Sequence, residues 1–235
     1  MSVPREPFAL DSLTAVMDLN QLVYRLTLLI PLVLSLTVHE WAHAWSAHKL
    51  GDDTAARAGR LTLNPLSHID LIGTVLLPLA GIPFGWAKPV PIDPRRFNPR
   101  WNMRTGMALT AAAGPLSNLL LAVLSAIALG VLFRTQPMLQ LLPHPGVALL
   151  RMTFVINVGL AVFNMLPVPP LDGSRILARY IPLRFDRQWA EVERFGPLVL
   201  MGLIVFSNVL GFSIISGPMG FVLRALDGLT QSIAG

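Results

Sequence analysis

The residues best suited to chemistry lie at positions 34–48, in the stretch LSLTVHEWAHAWSAH. There His39, Glu40 and His43 form the pattern H-E-x-x-H. Residues four apart share a helix face, so two imidazoles can point at one cation. Glu40 is rotated by roughly 100° from His39 on a helix, so it can flank the ion without ligating it. The pattern predicts a metal-dependent hydrolytic site with His39 and His43 as ligands and Glu40 as the base.

A catalytic metal site of this kind needs a third protein ligand and an open position. The extended histidine pattern would require a glycine at position 46 and a histidine at position 49, but the chain has Ser46 and Lys49. His48 lies nine residues after His39, which is a rotation of about 180° on a helix. His48 is therefore predicted to face away and to lie at the membrane interface. The chain has no cysteine, which excludes a thiolate site.

The third ligand must then come from a small set of carboxylates. Asp52 and Asp53 follow a glycine and are typical of turn or cap residues, and Asp70 lies a little further on. Asp172 lies in PVPPLDGSRIL, where it can ligate a metal or cap a helix over 174–182. Local sequence leaves both interpretations of Asp172 open.

The composition indicates where this chemistry takes place. The 235 residues are 53% hydrophobic and 13% charged, whereas a soluble domain carries about 25% charged residues. Long apolar runs with few charges predict a protein that crosses the membrane several times. Ionisable residues within such a run are functional by default, which favours the metal site over a solvated helix end.

The apolar runs predict a membrane all-α fold, a polytopic helical bundle of about four to six spans. A shorter segment between the first two full spans contains several prolines and glycines, which predicts a re-entrant segment or a short β-hairpin. We expect one domain over 1–235, with its core at about 20–180 and one or more C-terminal spans in 197–230. The predicted full spans are 22–45, 105–133, 147–166 and 197–215; the shorter segment is 70–87, and a short helix is expected near 216–230.

Positive charges give the orientation of the bundle. Of the 18 Lys and Arg residues, 13 lie in 46–104 and 174–196. Both regions are therefore predicted to be cytosolic, which agrees with the two spans between them. The net charge of +5 is thus explained by topology and predicts no nucleic-acid partner. On this topology His39 and Asp172 lie at similar depth near the cytosolic face, which favours Asp172 as the third ligand.

Two motifs taken together give the sequence a resemblance to one protein family. HEWAH together with NMLPVPPLDG resembles the site-2 protease family of intramembrane zinc metalloproteases, and GRLTLNPLSHIDLIGTVLLP, FGWAKPVPI and AAAGPLSN resemble further segments of its short members. The resemblance spans about residues 35–180 and shows no PDZ or CBS insertion. It implies that one zinc ion is bound by His39, His43 and Asp172, with Glu40 as the base. It also implies that Asn164 positions the scissile peptide or its oxyanion; satisfaction of nearby backbone is the alternative for Asn164.

The resemblance implies a zinc-dependent endopeptidase embedded in the lipid bilayer of a prokaryotic cell membrane. The expected substrate is a single-span membrane protein, either a regulator precursor or a remnant signal peptide, cut in or near its transmembrane segment. A metal-binding transporter or channel and an inactive scaffold of the same fold are the alternatives. The intact Glu40 and the absence of inverted repeats in the sequence favour the enzyme.

The sequence also predicts roles for several residues outside the two motifs. Asn118 is interpreted as relieving the backbone that Pro115 frees, and His68 and Lys88 lie in loops that line access to the site. The 55–90 region is predicted to supply an edge strand that pairs with an extended substrate.

Overall fold

The computed structural model describes residues 19–82, 85–210 and 215–235, and the regular elements within those ranges are helical. The predicted all-α class is therefore confirmed. Single turns of α, 3-10 or π helix lie in the connections between the main helices. We number the main helices in chain order as α1 Leu19–Lys49, α2 Met103–Thr135, α3 Pro145–Asn164, α4 Asp172–Ala178, α5 Asp186–Leu210 and α6 Ser216–Ala234.

Within the described residues, three helices are long and apolar enough to cross a membrane. They are Leu22–Lys49 within α1, the whole of α2 and the whole of α3, with 28, 33 and 20 residues. A helix rises 1.5 Å per residue, so about 20 residues cross a hydrocarbon core of roughly 30 Å. Their bounds lie within a few residues of the predicted spans, because unbroken apolar runs are the strongest local signal in such a chain.

Local side-chain chemistry fixes where α2 and α3 begin. The Asn102 side chain accepts a hydrogen bond from the Arg104 amide at 2.9 Å, which caps α2. His144 Nδ1 accepts from the Gly146 amide at 3.2 Å, and Pro145 occupies the first position of α3. The short connection between the end of α2 and the start of α3 makes these two helices antiparallel neighbours.

Helix α2 lies at the centre of the fold and packs against α1, α3, α4 and α6. A Cβ atom added at Gly130 would lie 2.8 Å from the carbonyl oxygen of Thr230 in α6. Small side chains thus let neighbouring backbones approach closely, as membrane helices require. The buried small residues of α2 are Gly106, Thr110, Ala111, Gly114, Ala122, Ser125, Ala126 and Gly130.

The shorter segment predicted at 70–87 is helical over residues 71–79. A π-helical turn over Leu71–Leu76 runs into an α turn over Leu77–Leu79. The Asp70 carboxylate begins it by accepting from the amides of Ile72 and Gly73 at 3.1 and 2.7 Å. Of the predicted segment 70–87, residues 83 and 84 lie outside the described residues.

Residues 54–82 contain no strand. The short β-hairpin, one of the two alternatives for 70–87, is therefore not found in that segment up to residue 82. The re-entrant alternative and the edge strand expected in 55–90 stay predictions. Gly59 adopts a φ of +67°, which turns the chain, and Asn64 caps a 3-10 turn that begins at Pro65. These two turns interrupt the extended backbone that a strand would need.

The C-terminal region differs in part from its prediction. Helix α5 begins at Asp186, well before the predicted start of the span at 197, so a charged amphipathic stretch and an apolar stretch form one helix. Residues 211–214 of the predicted span lie outside the described residues. Helix α6 confirms the helix expected near 216–230, and Thr230 Oγ1 donates to the carbonyl of Ala126 in α2 at 3.1 Å. A total of four to six spans stays a prediction.

Candidate metal and active site

Helix α1 places His39 and His43 side by side on one face. Their Nε2 atoms are 3.0 Å apart, and both residues are buried. Asp172, the first residue of α4, brings its Oδ2 to 3.2 Å from Nε2 of His39 and 3.3 Å from Nε2 of His43. The structure therefore joins these three residues into one buried group, although α2 and α3 separate them along the chain.

The outer nitrogen of each imidazole is engaged by a neighbour in α2. His39 Nδ1 lies 2.6 Å from Asn118 Oδ1, and His43 Nδ1 lies 2.7 Å from the carbonyl oxygen of Thr110. Both partners are acceptors, so each Nδ1 must carry the proton and donate it. In the neutral rings both Nε2 atoms then present lone pairs to the centre of the group.

A chain of amides fixes the orientation of Asn118. Asn157 Nδ2 donates to the carbonyl of Thr153 at 2.8 Å, which leaves Asn157 Oδ1 to accept from Asn118 Nδ2 at 2.8 Å. Asn118 Nδ2 also faces the carbonyl of Ser35 at 3.3 Å. The amide nitrogen of Asn118 is thereby assigned, and its oxygen must face His39.

The donor set fits a metal ion. Two imidazole lone pairs and one carboxylate oxygen face one another, and buried Asp172 Oδ2 has no hydrogen-bond donor in the part of the chain that the structure describes. A tetrahedral zinc site with bonds of about 2.0–2.1 Å would separate its ligand atoms by roughly 3.3–3.4 Å, close to the spacing found here. Each histidine has a hydrogen-bonded outer nitrogen, as metal-bound histidines usually do. A cation is the species that would satisfy all three atoms together.

The backbone at the start of α4 places Asp172. A Cβ atom added at Gly173 would lie 2.3 Å from the carbonyl oxygen of Met165 and 2.5 Å from that of Leu166. Only glycine therefore allows α4 to start against the end of α3. The helix-cap interpretation of Asp172 is wrong, because α4 begins at Asp172 itself and Leu171 takes the cap position.

The charge of the Asp172 carboxylate depends on a positive partner. Burial opposes its ionisation, whereas positive charge on the imidazoles of His39 and His43 holds the pKa of its carboxyl well below the usual value. A cation held by the three residues would supply that positive charge with both rings neutral, so the group would offer one negative charge and two neutral nitrogen ligands.

Glu40 lies on the same helix but outside the three-atom group. It is buried, and its Oε2 accepts a hydrogen bond from the Val90 amide at 2.9 Å. This contact fixes one carboxylate oxygen of Glu40 against the segment that precedes α2.

The backbone of α2 closes the site on another side. A Cβ atom added at Gly114 would lie 2.5 Å from His43 Nε2 and 2.6 Å from His39 Cε1. Position 114 therefore requires glycine, because α2 packs against α1 at this point and leaves no room for a side chain beside the two imidazoles.

Asn164 is the last residue of α3, and its amide nitrogen donates to the carbonyl of Leu160 at 3.0 Å. Among the described residues no hydrogen bond links it to the histidines or Asp172. In this state it satisfies nearby backbone, so its role toward a substrate stays a prediction.

The other candidate carboxylates have structural partners. Asp52 is fully buried and accepts from the amides of Thr54 and Asp93 at 2.9 and 2.7 Å. Asp53 pairs with arginines, and Asp70 caps the π-helical turn. His48 is exposed, as the helical spacing predicts.

The remaining polar candidates separate into loop and site residues. His68 is buried and bonds through Nε2 to the carbonyl of Thr62 at 2.8 Å, whereas the Lys88 side chain is exposed. Neither contacts the three-residue group. The interpretation of Asn118 as relief for the backbone at Pro115 is wrong, because its side chain bonds to His39 and Asn157 instead.

Three features of the site were not predicted from sequence: the orienting role of Asn118, the support by Asn157 and the close passage of Gly114. A signal existed for the two asparagines, since uncharged polar residues inside apolar helices hydrogen-bond across helix interfaces. Both are fully buried.

Comparison with known proteins agrees with the site. Residues 136–207 match the model of "Peptidase family M50". "Putative zinc metalloprotease YwhC" of Bacillus subtilis is 41% identical over 82% of this chain and 84% of its own length. Proteins named "Putative zinc metalloprotease Rip2" are 28% identical in Mycolicibacterium smegmatis and 31% identical in Mycobacterium tuberculosis H37Rv. The alignment with the Mycolicibacterium smegmatis protein covers 85% of this chain and 77% of the relative. The alignment with the Mycobacterium tuberculosis protein covers 77% of this chain and 67% of the relative.

No solved structure matches the chain significantly. The relative in Bacillus subtilis covers most of both chains at high identity, and the family match includes Asp172. The three long apolar helices agree with a membrane protein. The chain therefore belongs to peptidase family M50, the site-2 proteases, and is a membrane metalloprotease.

Proposed function

We propose that the protein is a zinc-dependent intramembrane endopeptidase that hydrolyses a peptide bond in or near the transmembrane segment of a membrane protein. The observation that carries the proposal is the convergence of two imidazole lone pairs and an orphaned carboxylate oxygen beside buried Glu40. His39, His43 and Asp172 would hold one zinc per chain. The relatives' names, which include zinc and protease, support the same assignment.

The chain's own residues divide the chemistry between them. When bound, zinc supplies a Lewis acid that polarises the scissile carbonyl and lowers the pKa of water to about 7. Glu40 takes one proton from the attacking water through a carboxylate oxygen and passes it to the amide nitrogen as the carbon–nitrogen bond breaks. The start of α4 places Asp172. The two histidines lie on α1, and their contacts with Asn118 and the Thr110 carbonyl of α2 orient their rings. Asn164 donates from its amide to the developing oxyanion once substrate is present.

The proposed setting follows from the helices. Three long apolar helices support a multi-pass protein, and further crossings by α5 and by the segment 70–87 remain part of the proposal. Thirteen of the 18 Lys and Arg residues flank the site in sequence, in 46–104 and 174–196, which supports an active site near the cytosolic face. The proposed substrate is a single-span regulator precursor or a remnant signal peptide.

A test in proteoliposomes separates the protease from a transporter or an inactive scaffold. The purified protein is reconstituted with a tagged synthetic single-span peptide derived from a bacterial signal peptide, and a fluorescent zinc indicator is sealed inside the vesicles. We expect new peptide termini by mass spectrometry and no zinc influx above that of protein-free vesicles. Zinc influx without cleavage would favour the transporter, and neither signal would favour the scaffold.

Asn118→Ala is expected to lower the affinity for zinc about 10–100-fold, because the orientation and basicity of His39 depend on the bond to Asn118. Titration of metal-free protein with a competing zinc indicator measures this change. Asn64→Ala is the matched control, since it removes an exposed asparagine that caps a turn away from the site. Unchanged affinity in Asn118→Ala would show that the contact does not orient a ligand.

Gly114→Ala is expected to weaken zinc binding roughly tenfold or more, because its methyl group would overlap both imidazoles. Gly159→Ala in α3 is the control, since its added carbon lies 3.6 Å from the flexible end of Met219. Metal analysis after dialysis against a weak chelator compares the two variants. Equal zinc retention would mean that α2 does not confine the histidines.

A further inference from the structure

The short segment Pro89–Val90–Pro91 contacts the proposed base directly. The N–H of Val90 donates to Glu40 Oε2 at 2.9 Å, and both residues are buried. The Val90 side chain packs against Ala44 of α1 and against Ala55. The contact is thus part of a packed interface between α1 and the segment before α2.

The sequence of this segment makes the contact selective. Proline has no N–H, so Val90 supplies the sole backbone donor of residues 89–91. Proline also restricts the residue before it to extended conformations, which applies to Lys88 and to Val90. The segment is therefore stiff and presents one donor, and Glu40 accepts it.

Both ends of the segment are anchored by buried side chains. At the upstream end, the Lys88 carbonyl accepts from Arg60 Nη2 at 2.6 Å. The Lys88 amide donates to the His68 backbone carbonyl at 2.9 Å. At the downstream end, the Asp93 amide donates to Asp52 Oδ2 at 2.7 Å. Asp52 follows α1 closely, so the segment is tied to the end of the helix that carries Glu40.

This inference rests on the proposed function. We propose that residues 89–91, the Pro–Val–Pro strap, position the carboxylate of Glu40 for proton transfer. The Val90 N–H holds Oε2 and fixes the side-chain rotamer, so Oε1 is the oxygen that exchanges the proton. Val90 is a positioning residue, because its action passes through Glu40. A misplacement of about 1 Å in an active site costs on the order of 10²-fold in rate, which is why a fixed rotamer matters.

Hydrogen exchange tests the contact without any activity measurement. Overlapping peptides that cover 89–91 report the Val90 amide alone, because both flanking residues are prolines. We expect at least tenfold faster exchange at Val90 in Glu40→Ala. His39→Ala, which removes a proposed metal ligand and keeps Oε2, should leave Val90 exchange at the wild-type rate. Equal protection in wild type and Glu40→Ala would overturn the proposal.

A backbone ester tests the positioning role. The α-hydroxy analogue of valine, incorporated at position 90 of the full chain, deletes the N–H and keeps the side chain. We expect a fall in kcat of about 10–100-fold on the single-span peptide, with KM, zinc content and melting temperature unchanged. The matched control is the same replacement at Ile92, whose N–H makes no hydrogen bond among the described residues.

The outcomes separate this proposal from the proposed function. Wild-type kcat in the Val90 ester would overturn the positioning role while leaving the protease assignment intact. Loss of zinc or of melting temperature together with kcat would overturn it as well, since the strap would then be structural. If the unmodified protein does not cleave the peptide, the proposed function fails, and hydrogen exchange still reports whether Val90 binds Glu40.

Discussion

Glu40→Gln is expected to keep one zinc per chain and to lose about 10²–10⁴-fold in kcat. Glutamine has the shape of glutamate, and its amide oxygen can still accept the Val90 N–H. It cannot take a proton from water at neutral pH, so the hydrolytic step loses its base. The three atoms of His39, His43 and Asp172 are untouched by the change. Initial rates on the single-span peptide, together with metal analysis of the same sample, measure both effects.

Glu191→Gln is the control for this variant, because Glu191 is an exposed glutamate on α5. It should cleave at the wild-type rate. A Glu40→Gln protein that cleaves within threefold of wild type would remove Glu40 from the role of base. A Glu40→Gln protein that lacks zinc would instead show that the side chain supports the metal group.

Asp172→Asn is expected to lose both zinc and activity. The amide has the size of the carboxylate but carries no negative charge, and one of its two ends is a donor that would face the histidine lone pairs. We expect zinc affinity to fall about 10³-fold or more, equivalent to about 4 kcal/mol. Equilibrium dialysis with a zinc indicator measures the affinity, and the peptide assay with excess zinc shows whether activity returns.

Asp53→Asn provides the matched control, because Asp53 is a partly exposed carboxylate that pairs with Arg57 and Arg96 outside the site. It should bind zinc and cleave as the wild type does. Full zinc occupancy in Asp172→Asn would mean that the third ligand lies elsewhere, and the proposed site would have to be redrawn.

The chemistry carried by α1 was predictable from spacing alone. A four-residue interval places His39 over His43 in any helix, and the structure does so. The same periodicity places His48 on another face, where it is exposed. Both results depend only on residues within one regular element.

The meeting of Asp172 with the histidines needed long-range information. Positive-charge counts placed both at similar depth, but they could not distinguish a ligand from a helix cap. The distinction depends on the close approach of Gly173 to the carbonyls of Met165 and Leu166, which starts α4 at Asp172. Such a contact is a property of tertiary packing, and no local pattern encodes it.

The support around His39 was beyond local sequence reasoning. Asn118 and Asn157 lie on different helices, and their bond exists only in one register of α2 against α3. Sequence shows that each is polar in an apolar run, without showing its partner. The absence of a strand within 54–82 has a local cause, since the turns at Gly59 and Asn64 interrupt the extended backbone there.

The position of the cut bond tests the central claim most directly. The purified protein, reconstituted in lipid nanodiscs with zinc and the single-span peptide, is analysed by mass spectrometry of the products. We expect cleavage at a bond within or next to the transmembrane segment of the peptide. Cleavage confined to its soluble tails, or an intact peptide beside fully zinc-loaded protein, would contradict an intramembrane zinc protease.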